Sequence, residues 1–344
     1  MYRLRCLLAL VLTAVLLAPS LGAAYAQHAP AHQPALTGTL TFFDHGTLSN
    51  PTGTALIRRY ERLHPGAHIK IVPLPPGDIV PFVNAQLAGG TAADVLDLNT
   101  VEQPWNDLRK GWYLDLTPYA LAPDPYVPGN KHWVDLIDPG ELGVIRFING
   151  HFYMLTTTGF DVAFIYNKTI FAKLGLSIPR TWTQLLAVLQ KAKNAGYIPL
   201  DFELGDTSYG GQVPAFITIL EAMVMAPAIK RMDTNHDGVV DVRELVRAIK
   251  SGQYSARNTD FQESWKLAKQ LAPYLQLGPM GTTGSEAGAR LFKTGRVATW
   301  FEGSFNAPTL DTTSHIKWGV FVMPQVTRAS SRFATPGEKA VGGF

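Results

Sequence analysis

Gly38-Thr-Leu-Thr-Phe-Phe-Asp-His-Gly46 opens the stretch from which the fold is read. Residues 38–43 are a β-rich run, and Asp44-His45-Gly46 supplies the polar turn that ends it. From Gly53 to His64, Ala55, Leu56, Tyr60 and Leu63 recur at helical spacing until Pro65-Gly66 stops the helix. Ile69-Lys-Ile-Val72 reads as a second strand, Ile79 to Leu87 as a second helix and Asp94-Val-Leu-Asp-Leu98 as a third strand. Strands alternating with helices imply an α/β fold, a parallel sheet covered on both faces. Ligands of such sheets sit at the carboxyl ends of the strands. Phe43, Asp44 and His45, and the stretch from Asn99 to Glu102, therefore become candidate contacts.

A second α/β region begins near Asn149. Phe152-Tyr-Met-Leu155 and Val162-Ala-Phe-Ile-Tyr166 read as strands. Pro179-Arg-Thr-Trp182 leads into an amphipathic helix, Gln184 to Ala195, with Leu185, Leu186 and Leu189 as its buried stripe. Two such regions predict two lobes: residues 38–148, residues 149–310, and a return of residues 311–344 into the first.

The amino terminus addresses the compartment. Arg3 and Arg5 precede the apolar run Cys6 to Leu17, and Leu21-Gly-Ala-Ala-Tyr-Ala26 supplies the small residues of a cleavage site. Residues 1–26 are predicted to be a signal peptide, which makes the protein secreted, periplasmic or associated with the cell surface. The apolar run is shorter than the roughly 20 residues of a membrane-spanning helix, although an uncleaved anchor is the alternative reading. Residues 27–37, rich in Ala, Pro and His, read as a flexible linker, with His28 and His32 solvated. Cys6 lacks the small residues that precede a lipidated cysteine, and its loss with the signal leaves no cysteine and no disulfide. The core alone must then hold the fold. Removing Arg3 and Arg5 also leaves 28 basic against 27 acidic residues, a formal charge of +1. So balanced a charge does not recommend nucleic acid as a partner.

Several blocks carry a resemblance. Arg59-Tyr-Glu-Arg-Leu-His-Pro65, Leu87-Ala-Gly-Gly-Thr-Ala-Ala-Asp94 and Gly111-Trp-Tyr-Leu-Asp-Leu-Thr-Pro-Tyr119 come first. Asn149-Gly-His-Phe-Tyr153, Tyr166-Asn-Lys168, Phe171, Gly175-Leu176 and Pro179-Arg-Thr-Trp182 follow, and Phe292-Lys-Thr-Gly-Arg-Val-Ala298 with Gly303 completes the series. In order and spacing these resemble the extracellular solute-binding proteins of ABC importers, family 1, the group that includes the maltose-binding proteins. The resemblance implies a two-lobed, type II periplasmic-binding-protein-like clamp. Such a clamp acts as a monomer, closes on a carbohydrate and delivers it to permease subunits without chemistry. Related branches bind glycerol phosphates, polyamines or metal ions. Ala340-Val-Gly-Gly-Phe344 resembles the start of a family strand that runs on into carboxyl-terminal helices, so the carboxyl-terminal part is expected to be truncated.

Sugars need fixed polar partners for their hydroxyls and flat apolar partners for their CH faces. The resemblance places Phe43-Asp44-His45, Asn99 to Glu102, Phe160-Asp161 and Trp300-Phe-Glu302-Gly-Ser-Phe305 at the cleft. Phe305 falls at the family's stacking aromatic. Glu302, a carboxylate between aromatics at a strand end, is the foremost polar candidate. Trp105, beside Pro104, stacks on ligand or closes a crevice. Each position has a plainer reading: Phe43 and Trp300 as core, Asp161 as a turn former.

Asp233-Thr-Asn235-His-Asp237-Gly238-Val239-Val-Asp241-Val-Arg-Glu244 matches the twelve-residue EF-hand calcium loop at every liganding position. Asp233, Asn235, Asp237, Asp241 and Glu244 would supply side-chain oxygens, Val239 its carbonyl, and Gly238 the turn. Val242, Leu245, Val246 and Ile249 have the spacing of an exit helix, and Phe216 to Lys230 reads as an entry helix interrupted near Pro227. A single unpaired loop predicts a structural calcium ion; a metal-free surface turn is the plainer alternative.

Other classes stay open. A secreted, calcium-stabilised carbohydrate-active enzyme would need two facing carboxylates, and no motif here defines such a pair. No Gly-x-Ser-x-Gly elbow or His-Glu-x-x-His signature is present. A calcium-dependent adhesion module would explain the loop but not the strand-helix alternation.

Overall fold

The computed structural model describes residues 37–44, 48–74, 79–97, 110–137, 150–156, 161–205, 212–236, 240–276, 285–313 and 315–335, with a few single positions between them. Residues 1–36, which include the predicted signal and most of the predicted linker, and residues 336–344 lie outside these. The chain folds as two compact units.

The first unit is built on a parallel sheet in which β1 (Thr37–Asp44) lies between β2 (Gly66–Pro73) and β3 (Val95–Leu96). Helix α1 (Pro51–Leu63) starts where the Asn50 side chain accepts the Gly53 N–H at 2.9 Å and Pro51 supplies a preset φ. It ends at His64 because Pro65 cannot continue it. Helix α2 (Ile79–Gly89) buries Ile79 and Val83 and brings Phe82 to 5.6 Å from Phe43, and Gly90 at φ 67° turns the chain out of it. The Asp94 carboxylate accepts both the N–H and the hydroxyl of Thr41, at 2.7 and 2.6 Å, which ties the approach to β3 onto β1.

The expected strand at Phe152–Leu155 does not form, and the boundary near Asn149 is corrected with it. The Phe152 N–H donates to the Thr117 hydroxyl at 2.9 Å, and its carbonyl accepts the Leu116 N–H at 2.7 Å. Its partners thus come from the Gly111–Tyr119 block, where the short helix α3 (Thr117–Ala120) begins, so Gly150–Met154 belongs to the first unit.

The second unit carries a mixed sheet in the order β5-β6-β4-β7: β4 (Val162–Asn167), β5 (Ile198–Asp201), β6 (Val297–Gly303) and β7 (Trp318–Phe321). β5 and β6 run parallel, and β4 is antiparallel to both β6 and β7. Asn167 caps α4 (Lys168–Leu174) through the N–H groups of Thr169 and Ile170. Thr181 and Gln184 form a reciprocal capping box on α5 (Trp182–Asn194), whose Leu185, Val188, Leu189 and Ala192 are buried. Trp182, also buried, donates its indole N–H to Gln270 at 2.8 Å. Helices α6 (Gln212–Val224) and α7 (Ala226–Met232) meet at a 95° bend at Met225, one residue before the Ala226-Pro227 start of α7. Among the described residues no single helix is long and apolar enough to cross a membrane. Then come α8 (Val242–Lys250), α9 (Thr259–Lys269), α10 (Ser285–Phe292) and α11 (Ala307–Thr313).

Residues 311–335, expected to return to the first lobe, pack in the second unit instead. β4 offers a free edge, β7 pairs with it, and the Phe321 ring stacks on Phe164 at 5.0 Å with 4° between the planes. Val326 and Ala334 join the same core.

Candidate functional site

β5 and β6 are parallel, so their carboxyl ends emerge at one edge of the sheet, where antiparallel β4 begins. Asp201 closes β5, Glu203 follows two residues later, and Glu302-Gly303 closes β6. The three carboxylates are buried, with exposures of 0%, 2% and 3% for Asp201, Glu203 and Glu302.

A chain of hydrogen bonds links two of them. Glu302 accepts the Gly303 N–H at 2.8 Å and the Gln212 side-chain N–H at 2.6 Å. Gln212 accepts the Glu203 N–H at 2.9 Å, and Glu203 accepts the Gly288 N–H of α10 at 3.0 Å. Both Asp201 oxygens, the Trp300 indole N–H and the Asn306 amide nitrogen are buried with no hydrogen-bond partner among the described residues.

Burial, and then the Glu203 charge, push the Asp201 carboxyl up to about 7. Burial likewise raises Glu302 to about 7; bonds from Gly303 and Gln212 oppose the shift, and the charges of Glu203 and Asp201 add to it. Near neutral pH Asp201 and Glu302 are therefore partly protonated, and a protonated carboxyl both donates and accepts hydrogen bonds.

Above the acids the rim is open. Phe305 is 52% exposed, and a Cβ at position 303 would collide with its ring. Glycine there lets the ring lie against the end of β6. Ser304 and Asp161 are tied together, the Ser304 N–H donating to the Asp161 carbonyl at 2.8 Å and the Asp161 N–H to the Ser304 hydroxyl at 3.2 Å. The edge therefore presents a flat apolar face beside polar groups, over a buried acidic layer.

Gly288 is equally constrained, because a Cβ would stand 2.6 Å from the Trp300 indole nitrogen and 2.7 Å from Glu203. Gly288→Ala is expected to cost about 1–3 kcal/mol by overpacking. An unchanged urea midpoint would show that α10 slides to make room.

The sequence candidates divide. Phe305 and Asp161 lie on the exposed rim. Glu302 is there too, but buried beneath the rim and engaged by Gly303 and Gln212 rather than open to contact. Trp300 is corrected to core: wholly buried, it packs on Phe292 at 5.9 Å because β6 is covered on both faces. Phe43 is likewise an interior residue, packed on Phe82 under α2. Asp44 orders its own turn by accepting the N–H groups of Leu48 and Ser49 at 2.7 and 2.9 Å. His45, Asn99, Glu102, Trp105 and Phe160 lie outside the described residues. Asp201, Glu203, Gln212 and Asn306 were not legible as site residues. The available signal was Ile198-Pro-Leu-Asp-Phe-Glu203, a short β-run ending in two acids.

The family model for bacterial extracellular solute-binding proteins matches residues 47–331. A curated multiple sugar-binding protein of Streptococcus mutans is 24% identical over 156 residues. That match covers 45% of this chain and 34% of the relative, so it spans about a third of the relative's length. Among solved structures, the bacterial solute receptor AcbH, described as exclusive for b-D-galactopyranose, has a TM-score of 0.63 at 16% identity, over 86% of this chain and 68% of its own. A Bacillus licheniformis sugar transporter in complex with stachyose has a TM-score of 0.54 at 18% identity, over 89% and 71%. At these identities the solved structures speak for the fold, which is that of the type II solute-binding proteins. With a family match across most of its length, this chain belongs to the bacterial extracellular solute-binding proteins, family 1.

Proposed function

We propose that this chain is the extracellular substrate-binding component of an ABC importer. It binds a mono- or oligosaccharide and passes it, chemically unchanged, to permease subunits in the membrane. One observation carries the sugar reading: the exposed Phe305 ring lies against Gly303 at the carboxyl end of β6, beside Ser304 and Asp161. A flat apolar face flanked by hydrogen-bonding groups suits a pyranose, whose ring presents CH on its face and hydroxyls at its edge. The sugar ligands named for the relatives support the same class.

Calorimetric titration against monosaccharides, oligosaccharides, a glycerol phosphate and a polyamine tests it. A saccharide is expected to bind and to be recovered intact. Phe305→Ala is expected to weaken it about tenfold or more, corresponding to about 1.4 kcal/mol. Binding of a polyamine alone, with the acids of the strand-end layer as counter-charges, would overturn the sugar reading, and so would unchanged affinity in Phe305→Ala. Delivery is tested separately: deleting the gene in its native host is expected to abolish uptake of that sugar.

A further inference from the structure

The segment between α7 and α8 is independent of the strand-end site and of the sugar reading. It is a loop held between two helices, Ala226–Met232 and Val242–Lys250. Ala228 and Met232 of the first helix and Ala248 of the second are buried, so the loop joins two elements that are packed against the unit.

The loop is already folded inward upon its acidic residues. Asp233 immediately follows α7, and its Oδ2 accepts the Gly238 N–H at 3.0 Å, drawing the chain round. His236 at φ 60° and Gly238 at φ 89° both lie in the left-handed region, which makes the turn this tight. Asp233 Oδ1 is shielded from solvent and has no hydrogen-bond partner among the described residues.

Glu244, eleven positions on, is 2% exposed although it belongs to a surface helix. Its Oε1 accepts the N–H and the hydroxyl of Thr234, both at 2.6 Å, and the Asn235 N–H at 3.2 Å. Its Oε2 accepts the Asp241 N–H at 3.1 Å, while Asp241 Oδ1 accepts the Glu244 N–H at 2.8 Å. These bonds fold the carboxylate of position twelve back onto positions two, three and nine of the same loop. Among the described residues no three acidic or histidine side chains form a metal-holding group. Asp237 and Val239, positions five and seven, lie outside those residues.

We propose that Asp233–Glu244 binds one calcium ion. Its ligands are the side chains of Asp233, Asn235, Asp237, Asp241 and Glu244 and the carbonyl of Val239, and the ion staples α7 to α8. Two independent observations carry this. The sequence fills each oxygen-donor position of a twelve-residue calcium loop, with glycine at the sixth. The structure leaves a shielded carboxylate oxygen on the first of those donors without a partner among the described residues. A hard cation that takes six to eight oxygens supplies that partner. Glu244 then exchanges N–H donors for the ion, over a short distance, because its carboxylate already lies within the loop. The ion is a staple rather than a switch, since its two flanking helices are anchored by buried residues on both sides.

Calorimetric titration of the EDTA-stripped chain with calcium chloride, paired with thermal unfolding, tests the proposal. One ion per chain is expected, with Kd between about 10⁻⁵ and 10⁻³ M, in the range of sensor and extracellular sites, and a melting temperature that rises with calcium. Glu244→Gln and Asp237→Asn are each expected to weaken binding at least tenfold and to blunt the thermal response. Either variant suffices if the other does not fold. No uptake by the wild-type chain up to about 10 mM, above the weakest such sites, would overturn the proposal. So would equal affinity for magnesium, or calcium binding unaltered in the folded variants. Sugar affinity is expected to persist in the calcium-free chain, so failure here leaves the sugar reading standing, and the reverse.

Discussion

At pH 8, Asp201→Asn is expected to be more stable than the wild-type chain by about 2–4 kcal/mol, read from urea unfolding of the second unit. Asp201 is wholly buried and both its oxygens lack partners among the described residues, so its ionised form is costly in the native state. Its folded pKa is raised to about 7 from the ordinary carboxylate value, by burial and then by Glu203. A shift of one pKa unit is worth about 1.4 kcal/mol, and the amide that replaces the carboxyl is itself desolvated, which trims the gain.

The sign follows from linkage. A carboxyl whose folded pKa lies above its unfolded value stabilises the native state below the unfolded pKa, and that stability is lost as pH rises through the folded pKa. Asp201 and Glu302 both shift upward, so the wild-type chain is expected to lose stability between about pH 4 and 7. Because the charges of Asp201, Glu203 and Glu302 act on one another, the titration belongs to the group rather than to one residue. Asp201→Asn flattens that slope. A variant less stable at pH 8, with the wild-type slope retained, would mean that Asp201 has a charge-stabilising partner in solution.

Phe301→Ala is expected to cost about 3–5 kcal/mol, a large part of the stability of an ordinary domain. Phe301 is fully buried in β6 and makes edge-on contacts with Phe164, Phe202 and Phe216 at centroid distances of 5.2, 5.6 and 5.0 Å. Truncation removes the transfer energy of the ring and those three contacts, and leaves a cavity among rigid neighbours. Urea unfolding at pH 5, below the raised values of Asp201 and Glu302, isolates this effect. A loss below about 1.5 kcal/mol would show that the aromatic cluster collapses into the gap.

Where the determinants were local, they could be read from the chain. Asn50-Pro51 and Pro65-Gly66 bound α1, and Thr181 with Gln184 start α5, because caps and stops act within a few residues. The alternation from Gly38 to Leu98 implied a parallel sheet, and β1, β2 and β3 form one. The ordered blocks from Arg59 to Gly303 carried the family. Phe305, which the resemblance put at a stacking position, is exposed, and its ring lies against Gly303 at the end of β6.

What the sequence by itself determined is therefore the strand-helix alternation of residues 38–98, the stop of α1 at Pro65-Gly66, the family and the spacing of the loop at Asp233–Glu244. Only the tertiary structure decided which strand ends meet and which side chains are covered. Gln212 reaches Glu302 across 90 residues of sequence, and Glu203 reaches Gly288 across 85. Such pairings depend on strand order, to which local propensity is blind. Trp300 and Phe43 read as cleft or core with equal ease. Side-chain alternation tells which face a residue takes, whereas burial depends on what packs over that face. β6 is covered on both sides, so its pattern carries no contrast, and β7 joins β4 because a free strand edge in its own unit was there to satisfy its backbone.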